Sequence, residues 1–162
     1  MRVFILAGEP SGDRLGGALM AGLKELCPEV TFDGIGGPMM MAQGLESRFD
    51  MDELSVMGLA EILPKYRALM ARINETAQAV VETKPDVLIT IDSPDFSLRV
   101  ARKVKEKSNI RTVHYVAPTV WAWRPGRAEK MARSVDHVLA LFPFEPPYME
   151  AAGMACDFVG HP

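Results

Sequence analysis

Only two cysteines occur among the 162 residues, Cys27 and Cys156, far apart and without metal-ligand spacing. The expectation is a pair of reduced, buried thiols in a cytosolic setting rather than a disulfide. Histidine is equally scarce, and His114, His137 and His161 form no local zinc pattern. An excess of positive charge is missing too. A net charge of −3 gives no support to a nucleic-acid partner, which calls for a strongly basic domain. No apolar run reaches the roughly 20 residues that span a bilayer, so any contact with membrane lipid is expected to be peripheral. The start, Met1-Arg2 followed at once by a strand and a glycine turn, does not read as a signal peptide, and a cytoplasmic location is expected. Repeats, low-complexity tracts and linkers are absent as well.

What remains is the composition of an ordinary soluble domain, 48% apolar and 24% charged. A single domain of this length buries roughly 70% of the surface its unfolded chain exposes. Strands are predicted at 2–6, 30–35, 87–91, 111–116, 137–142 and 156–159, with a further extended piece at 47–49. Helices are predicted from the turn at 8–12 to Leu26, over 39–43, over 58–82 with a kink or break at Pro64, over 96–107 and over 127–133. A last short helix should begin at Pro146-Pro147, where proline suits the first turn. Strands alternating with helices imply an α/β fold, a doubly wound parallel sheet covered on both faces. The chain stops at Pro162 directly after a strand with no closing helix, so a further domain is expected.

The most telling stretch is Lys84 to Asp95. Val87–Ile91 reads as a strand buried on both faces, and it delivers Asp92 and Asp95 to its carboxyl end. Open α/β sheets bind ligands beyond that edge. Asp92 therefore serves either an Asx-turn or a reaction, and since Pro94 already enforces the turn, chemistry is favoured. Asp95, just ahead of Phe96 and Leu98, suits a helix cap.

Ala7-Gly8-Glu9-Pro10-Ser11-Gly12-Asp13 joins the first strand to the first helix. Its glycines allow close backbone approach and its helix start offers free N–H groups, yet the spacing is neither the dinucleotide fingerprint nor a Walker loop. Gly16 and Gly17, inside that helix, cost stability and most simply permit close packing of the helix on the sheet. Gly34-Ile35-Gly36-Gly37-Pro38 is a second glycine-rich exit, and two adjacent exits would make one wall of a cleft. Met39, Met40 and Met41 beside it serve as adaptable surface or core filling. His114 to Arg127 holds both tryptophans and ends in arginines. Trp121 and Trp123 could stack on sugar rings and Arg124 and Arg127 could pair with phosphate, or the whole could be a tryptophan-anchored loop. Phe142 to Tyr148 reads as a rigid structural connection. The apolar residues between Asp52 and Arg72, interspersed with Lys65 and Arg67, either pack on the sheet or meet a membrane surface or acyl chain.

Taken in order, these segments resemble one family, the lipid-A-disaccharide synthases. The resemblance rests on 7–13, Gly-Ile-Gly-Gly-Pro-Met at 34–39, Glu-Leu-Ser-Val-Met-Gly-Leu at 53–59 and Ile-Asp-Ser-Pro-Asp-Phe at 91–96. It extends through 114–127, Phe-Pro-Phe-Glu-Pro-Pro-Tyr-Met at 142–149 and Cys-Asp-Phe-Val-Gly-His-Pro at 156–162. It implies that residues 1–162 are the N-terminal, acceptor-side Rossmann-like lobe of a two-lobed inverting glycosyltransferase. The UDP-sugar-binding C-terminal lobe would lie outside the chain, leaving this portion inactive by itself. The implied reaction joins UDP-2,3-diacylglucosamine to 2,3-diacylglucosamine 1-phosphate, without metal or cofactor, at the cytoplasmic face of the inner membrane. Asp92 is then the base, with Gly8, Glu9, Ser11, Gly12, Met57, His114, Trp121, Trp123, Arg124 and Arg127 as candidate substrate contacts. Two alternatives stay open: a standalone flavodoxin-like module holding a nucleotide or phosphate on its first turn, and a purely structural scaffold for a partner lobe.

Overall fold

Runs of β-branched and aromatic residues become β1 (Arg2–Ala7), β2 (Thr31–Ile35), β3 (Val87–Ile91), β4 (Arg111–Tyr115), β5 (His137–Ala140) and β6 (Ala155–Phe158). The computed structural model describes residues 1–55, 62–117 and 126–162. All six strands pair in parallel in one sheet of order β2-β1-β3-β4-β5-β6. The helices are α1 (Pro10–Leu26), α2 (Pro38–Ala42), α3 (Asp52–Ser55), α4 (Ile62–Thr83), α5 (Pro94–Lys107), α6 (Gly126–Ala132) and α7 (Pro146–Ala151). This is the doubly wound architecture that alternating strands and helices imply.

β1 after Arg2 and β3 apart from Thr90 are apolar because helices cover both of their faces. Phe4, Ile5 and Leu6 of β1 and Leu88 and Ile91 of β3 are fully buried, with Ile73 and Val80 of α4 against them. Each such side chain contributes about 1.5–3 kcal/mol. A smaller cluster under β5 and β6 gathers Val138, Ala140, Met131, Met149 and Cys156. Cys27 is half-buried rather than buried. Gly16 permits close packing both on the sheet and against α2: a Cβ there would come within 3.0 Å of Ile91 Cδ1 in β3 and 2.6 Å of the Met40 sulfur in α2.

One expectation changes. Residues 47–49 are not extended sheet: Ser47 Oγ accepts the Gly36 N–H at 3.1 Å and donates to the Phe49 carbonyl at 2.6 Å, which folds the chain into a bend. α4 runs as one helix from Ile62 to Thr83, so it is not split between Pro64 and Thr83; the part of the expected helix before Ile62 lies outside the described residues.

The two edges of the sheet differ. At the amino edge, side chains stitch neighbouring strands: the Arg2 N–H donates to Asp86 Oδ2 at 2.7 Å and the Thr112 N–H to Asp136 Oδ2 at 2.9 Å. Lys105 pairs with the same Asp136 carboxylate. At the carboxyl edge the strand order reverses between β1 and β3, since the chain leaves β1 toward β2 and crosses back to reach β3. That reversal opens a crevice where ligands of such sheets bind.

Candidate active site

A cleft of about 370 Å³ occupies this switch point. Glu9 and Pro10 line it from the exit of β1, and Ser93, Pro94, Asp95 and Phe96 from the exit of β3. Leu54 of α3 and Leu69 of α4 form its outer wall. The two exits lie against each other because residue 8 is glycine: a Cβ on Gly8 would sit 2.8 Å from Ser93 Oγ. Ser93 Oγ donates to Glu9 Oε1 at 3.3 Å, bridging the exits. The cleft thus has polar groups on one side and an apolar wall on the other.

Asp92 stands at its lip, one position before the lining residue Ser93. Its N–H is fixed by the Tyr115 carbonyl at 3.1 Å. Asp92 and Ser93 have φ of 47° and 43°, consecutive left-handed residues that are not glycine. Such a conformation costs on the order of 1–3 kcal/mol per residue and concentrates at functional sites. Asp92 is half-buried, and its carboxylate has no hydrogen-bond or ionic partner among the described residues. A strained, positioned and unpaired carboxylate is what a general base requires. Asp95 is not the helix cap expected of it. Pro94 takes the first helical position, so Ser93 falls at the cap and Asp95 in the first turn, exposed, where a negative charge faces the positive end of α5 favourably.

The residue that ties the two glycine-rich exits together was not singled out by sequence pattern. Asp13 is 3% exposed, and its carboxylate accepts the N–H groups of Gly37 at 2.9 Å and of Met39 and Met40 at 3.0 Å each. It therefore caps α2 from α1 and locks the two glycine-rich exits together. Adjacent exits do form one wall, and Asp13 is the clasp. The signal in the sequence was the pairing of Gly12-Asp13 with Gly36-Gly37-Pro38, which only spatial proximity makes readable.

The other candidates disperse. Ser11 is exposed on the first turn of α1 and Gly12 is buried beneath it; neither lines the cleft. His114 is a correction. It is 2% exposed within the sheet, and its Nδ1 shares a 2.7 Å hydrogen bond with Thr90 Oγ1 of the neighbouring strand. Burial pushes its pKa down to about 4, so it is a neutral core imidazole with no open face for a sugar or phosphate. Arg127 is exposed at the start of α6 and is not among the residues that line the cleft. Met57, Trp121, Trp123 and Arg124 lie outside the described residues.

The chain carries one Asp-x-Asp pair, Asp50 and Asp52, the spacing that metal-dependent glycosyltransferases use on diphosphate. Here Asp50 Oδ1 accepts the Asp52 N–H at 2.9 Å, so the pair shapes the turn into α3. Among the described residues no three His, Cys, Asp or Glu side chains converge in a way that could hold a metal ion. A phosphate on the first turn, as a flavodoxin-like module would need, would meet Glu9 and, across the cleft, Asp95. That electrostatic setting opposes it.

Comparison with known proteins agrees with the geometry. Among solved structures, UDP-GlcNAc 2-epimerase from Neisseria meningitidis, bound to UDP-GlcNAc, superposes with a TM-score of 0.62 at 11% identity, over 95% of this chain and 43% of that one. The lipopolysaccharide outer core galactosyltransferase WaaB gives 0.57 at 18% identity, over 100% of this chain and 46% of that one. Both share the Rossmann-like fold. Curated relatives called lipid-A-disaccharide synthase match along the whole length: that of Ruegeria pomeroyi is 77% identical, with 100% of this chain and 40% of the relative covered. The Rhodospirillum centenum protein is 54% identical over 99% of this chain and 40% of its own, and that of Pseudomonas aeruginosa 48% over 100% and 43%. This chain therefore spans about 40% of the length of the curated relatives it matches. With residues 3–162 also matching the family model described as lipid-A-disaccharide synthetase, the chain belongs to that family.

Proposed function

We propose that this chain is the acceptor-side lobe of a glycosyltransferase that joins UDP-2,3-diacylglucosamine to 2,3-diacylglucosamine 1-phosphate, releasing UDP and a β-1,6-linked disaccharide 1-phosphate. The observation that carries the reading is Asp92, an unpaired carboxylate in a left-handed turn at the switch-point crevice. As general base, Asp92 takes the proton of the acceptor hydroxyl while that oxygen attacks the anomeric carbon from the face opposite UDP. Holding the acceptor in line supplies much of the remaining acceleration. Glu9 and Ser93 offer hydrogen bonds to sugar hydroxyls, and Leu54, Leu69 and Phe96 a surface for the acyl-bearing side. The donor nucleotide belongs to a second lobe, in keeping with the 40% of the relatives' length that this chain spans. No metal or cofactor enters the scheme.

The substrates place the reaction at the cytoplasmic face of the inner membrane. No described helix is long and apolar enough to cross a bilayer; contact with it is proposed to be peripheral. On α4, Leu69 faces the core, whereas Tyr66 and Arg67 are exposed. Lys65 and Arg67 are proposed to meet anionic lipid there.

Conversion of radiolabelled acceptor by the protein expressed from its complete reading frame tests the reading. Disaccharide should form with both lipids present, and residues 1–162 alone should form none. Failure of the complete protein to convert the acceptor, or turnover by this chain alone, would overturn it.

A further inference from the structure

The outer wall of the cleft is formed in part by α3, whose Leu54 reaches over the first βα turn, within 3.6 Å of where a Cβ on Gly8 would be. Two anchors account for this. Met51, just before α3, is 4% exposed in the core. Glu53, beside Leu54, is gripped from α4 by Arg72, whose Nε and Nη2 donate to both carboxylate oxygens at 2.8 and 3.1 Å. The guanidinium is itself oriented: it lies 4.3 Å from the centroid of the Phe49 ring, and its Nη1 donates to Glu75 on its own helix at 2.9 Å. A two-point grip by a stacked arginine fixes direction as well as distance.

We propose that the Arg72–Glu53 pair is a positioning latch that holds Leu54 against the cleft and so sets affinity for the acceptor. The inference rests on the glycosyltransferase reading. Because Met51 remains as a second anchor, breaking the latch loosens Leu54 without unfolding the lobe. Neither latch residue lines the cleft, so the effect falls on binding rather than on the chemical step. An ion pair this exposed supports a change of about fivefold at most.

The test measures KM for 2,3-diacylglucosamine 1-phosphate and kcat in the protein expressed from its complete reading frame. Arg72→Ala and Glu53→Ala should each raise the acceptor KM about three- to fivefold and leave kcat within about twofold. The double variant should be no worse than either single one, since both remove the same grip. Glu75→Ala, which removes one of the restraints on the same guanidinium but leaves its two bonds to Glu53, should raise the acceptor KM by less than either single variant does. An unchanged KM in both single variants of an active enzyme overturns the latch alone. So does a Glu75→Ala effect as large as theirs, because the guanidinium would then act through general electrostatics. A wild-type protein that forms no disaccharide overturns the latch together with the reading it rests on.

Discussion

Asp13, after the turn that leaves β1, is 3% exposed and accepts three backbone N–H groups; Asp92, where β3 ends, is half-buried and accepts none among the described residues. Both carboxylates lie near the same crevice, within motifs that sequence alone cannot rank. Their partners separate them. A buried charge with three donors is committed to holding the structure together, because any other use would leave those donors unpaired. An unpaired carboxylate on a strained backbone is available for chemistry, and the strain is borne by packing elsewhere.

The largest effect should come from Asp92. As general base it contributes roughly 10²–10⁴-fold to rate. Asp92→Asn in the protein expressed from its complete reading frame should lower turnover at least about 100-fold, while denaturant midpoint and acceptor binding stay near wild type. Turnover within a few-fold of wild type would move the base elsewhere, with Glu9 the next carboxylate on the cleft.

Asp13 should show the reverse profile. Asp13→Ala strips three N–H groups of a charged acceptor, and hydrogen bonds to charged groups are worth about 1.5–3 kcal/mol each, not additively. A loss of about 3 kcal/mol in urea unfolding is expected, with Asp13→Asn intermediate because one acceptor oxygen survives. If Asp13→Asn abolished turnover while stability held, the distinction between the two turns would collapse.

The sequence shows some of this contrast and hides the rest for physical reasons. β3 was readable to the residue because Val87–Ile91 is an uninterrupted apolar run between Pro85-Asp86 and Asp92-Ser93-Pro94. Proline punctuation likewise placed α7. By contrast, Asp13 finds its donors 24 to 27 residues away, and no local pattern encodes that distance. The bend at 47–49 depends on one serine hydroxyl bonding to Gly36, again a tertiary contact. His114 misled because its neighbours in sequence, the tryptophans and arginines, suggest a sugar-phosphate loop. On β4 itself, its side chain turns to the sheet face that is sealed.

His114 extends the comparison to a buried group that avoids charge instead of pairing it. Its folded pKa, about 4, lies below the ordinary 6.5 because burial disfavours the imidazolium. As pH falls below about 6.5 the unfolded chain takes up a proton that the folded one refuses until about pH 4. The stability from burying the neutral ring is therefore complete above about pH 6.5 and is lost progressively toward pH 4. About 2 kcal/mol should be gone by pH 5. His114→Gln should remove that slope in urea unfolding between pH 7 and 5. A slope that persists in the variant would assign the acid sensitivity to other groups.

The smallest effect is expected where a carboxylate has a full partner but little burial. Asp33 accepts from Arg48 Nε at 2.8 Å and Nη2 at 2.7 Å, and both side chains are 38% exposed. The Arg48 hydrogen bond holds the Asp33 pKa below its ordinary value, so the pair's contribution is present above about pH 4 and fades as pH falls through the lowered value. Solvent screens the pair, however, and exposed ion pairs contribute about 0.2–1 kcal/mol. Asp33→Asn isolates this term, since Arg48 keeps its position 5.4 Å from the Phe4 ring centroid. It should cost less than about 1 kcal/mol at low salt, and that cost should shrink at 1 M NaCl, where the Debye length is near 3 Å. Asp13→Asn should be nearly insensitive to the same salt, because its partners are backbone groups around a buried carboxylate. Equal costs for Asp33→Asn and Asp13→Asn, or equal salt responses, would show that the number of partners rather than burial decides what a carboxylate contributes to this fold.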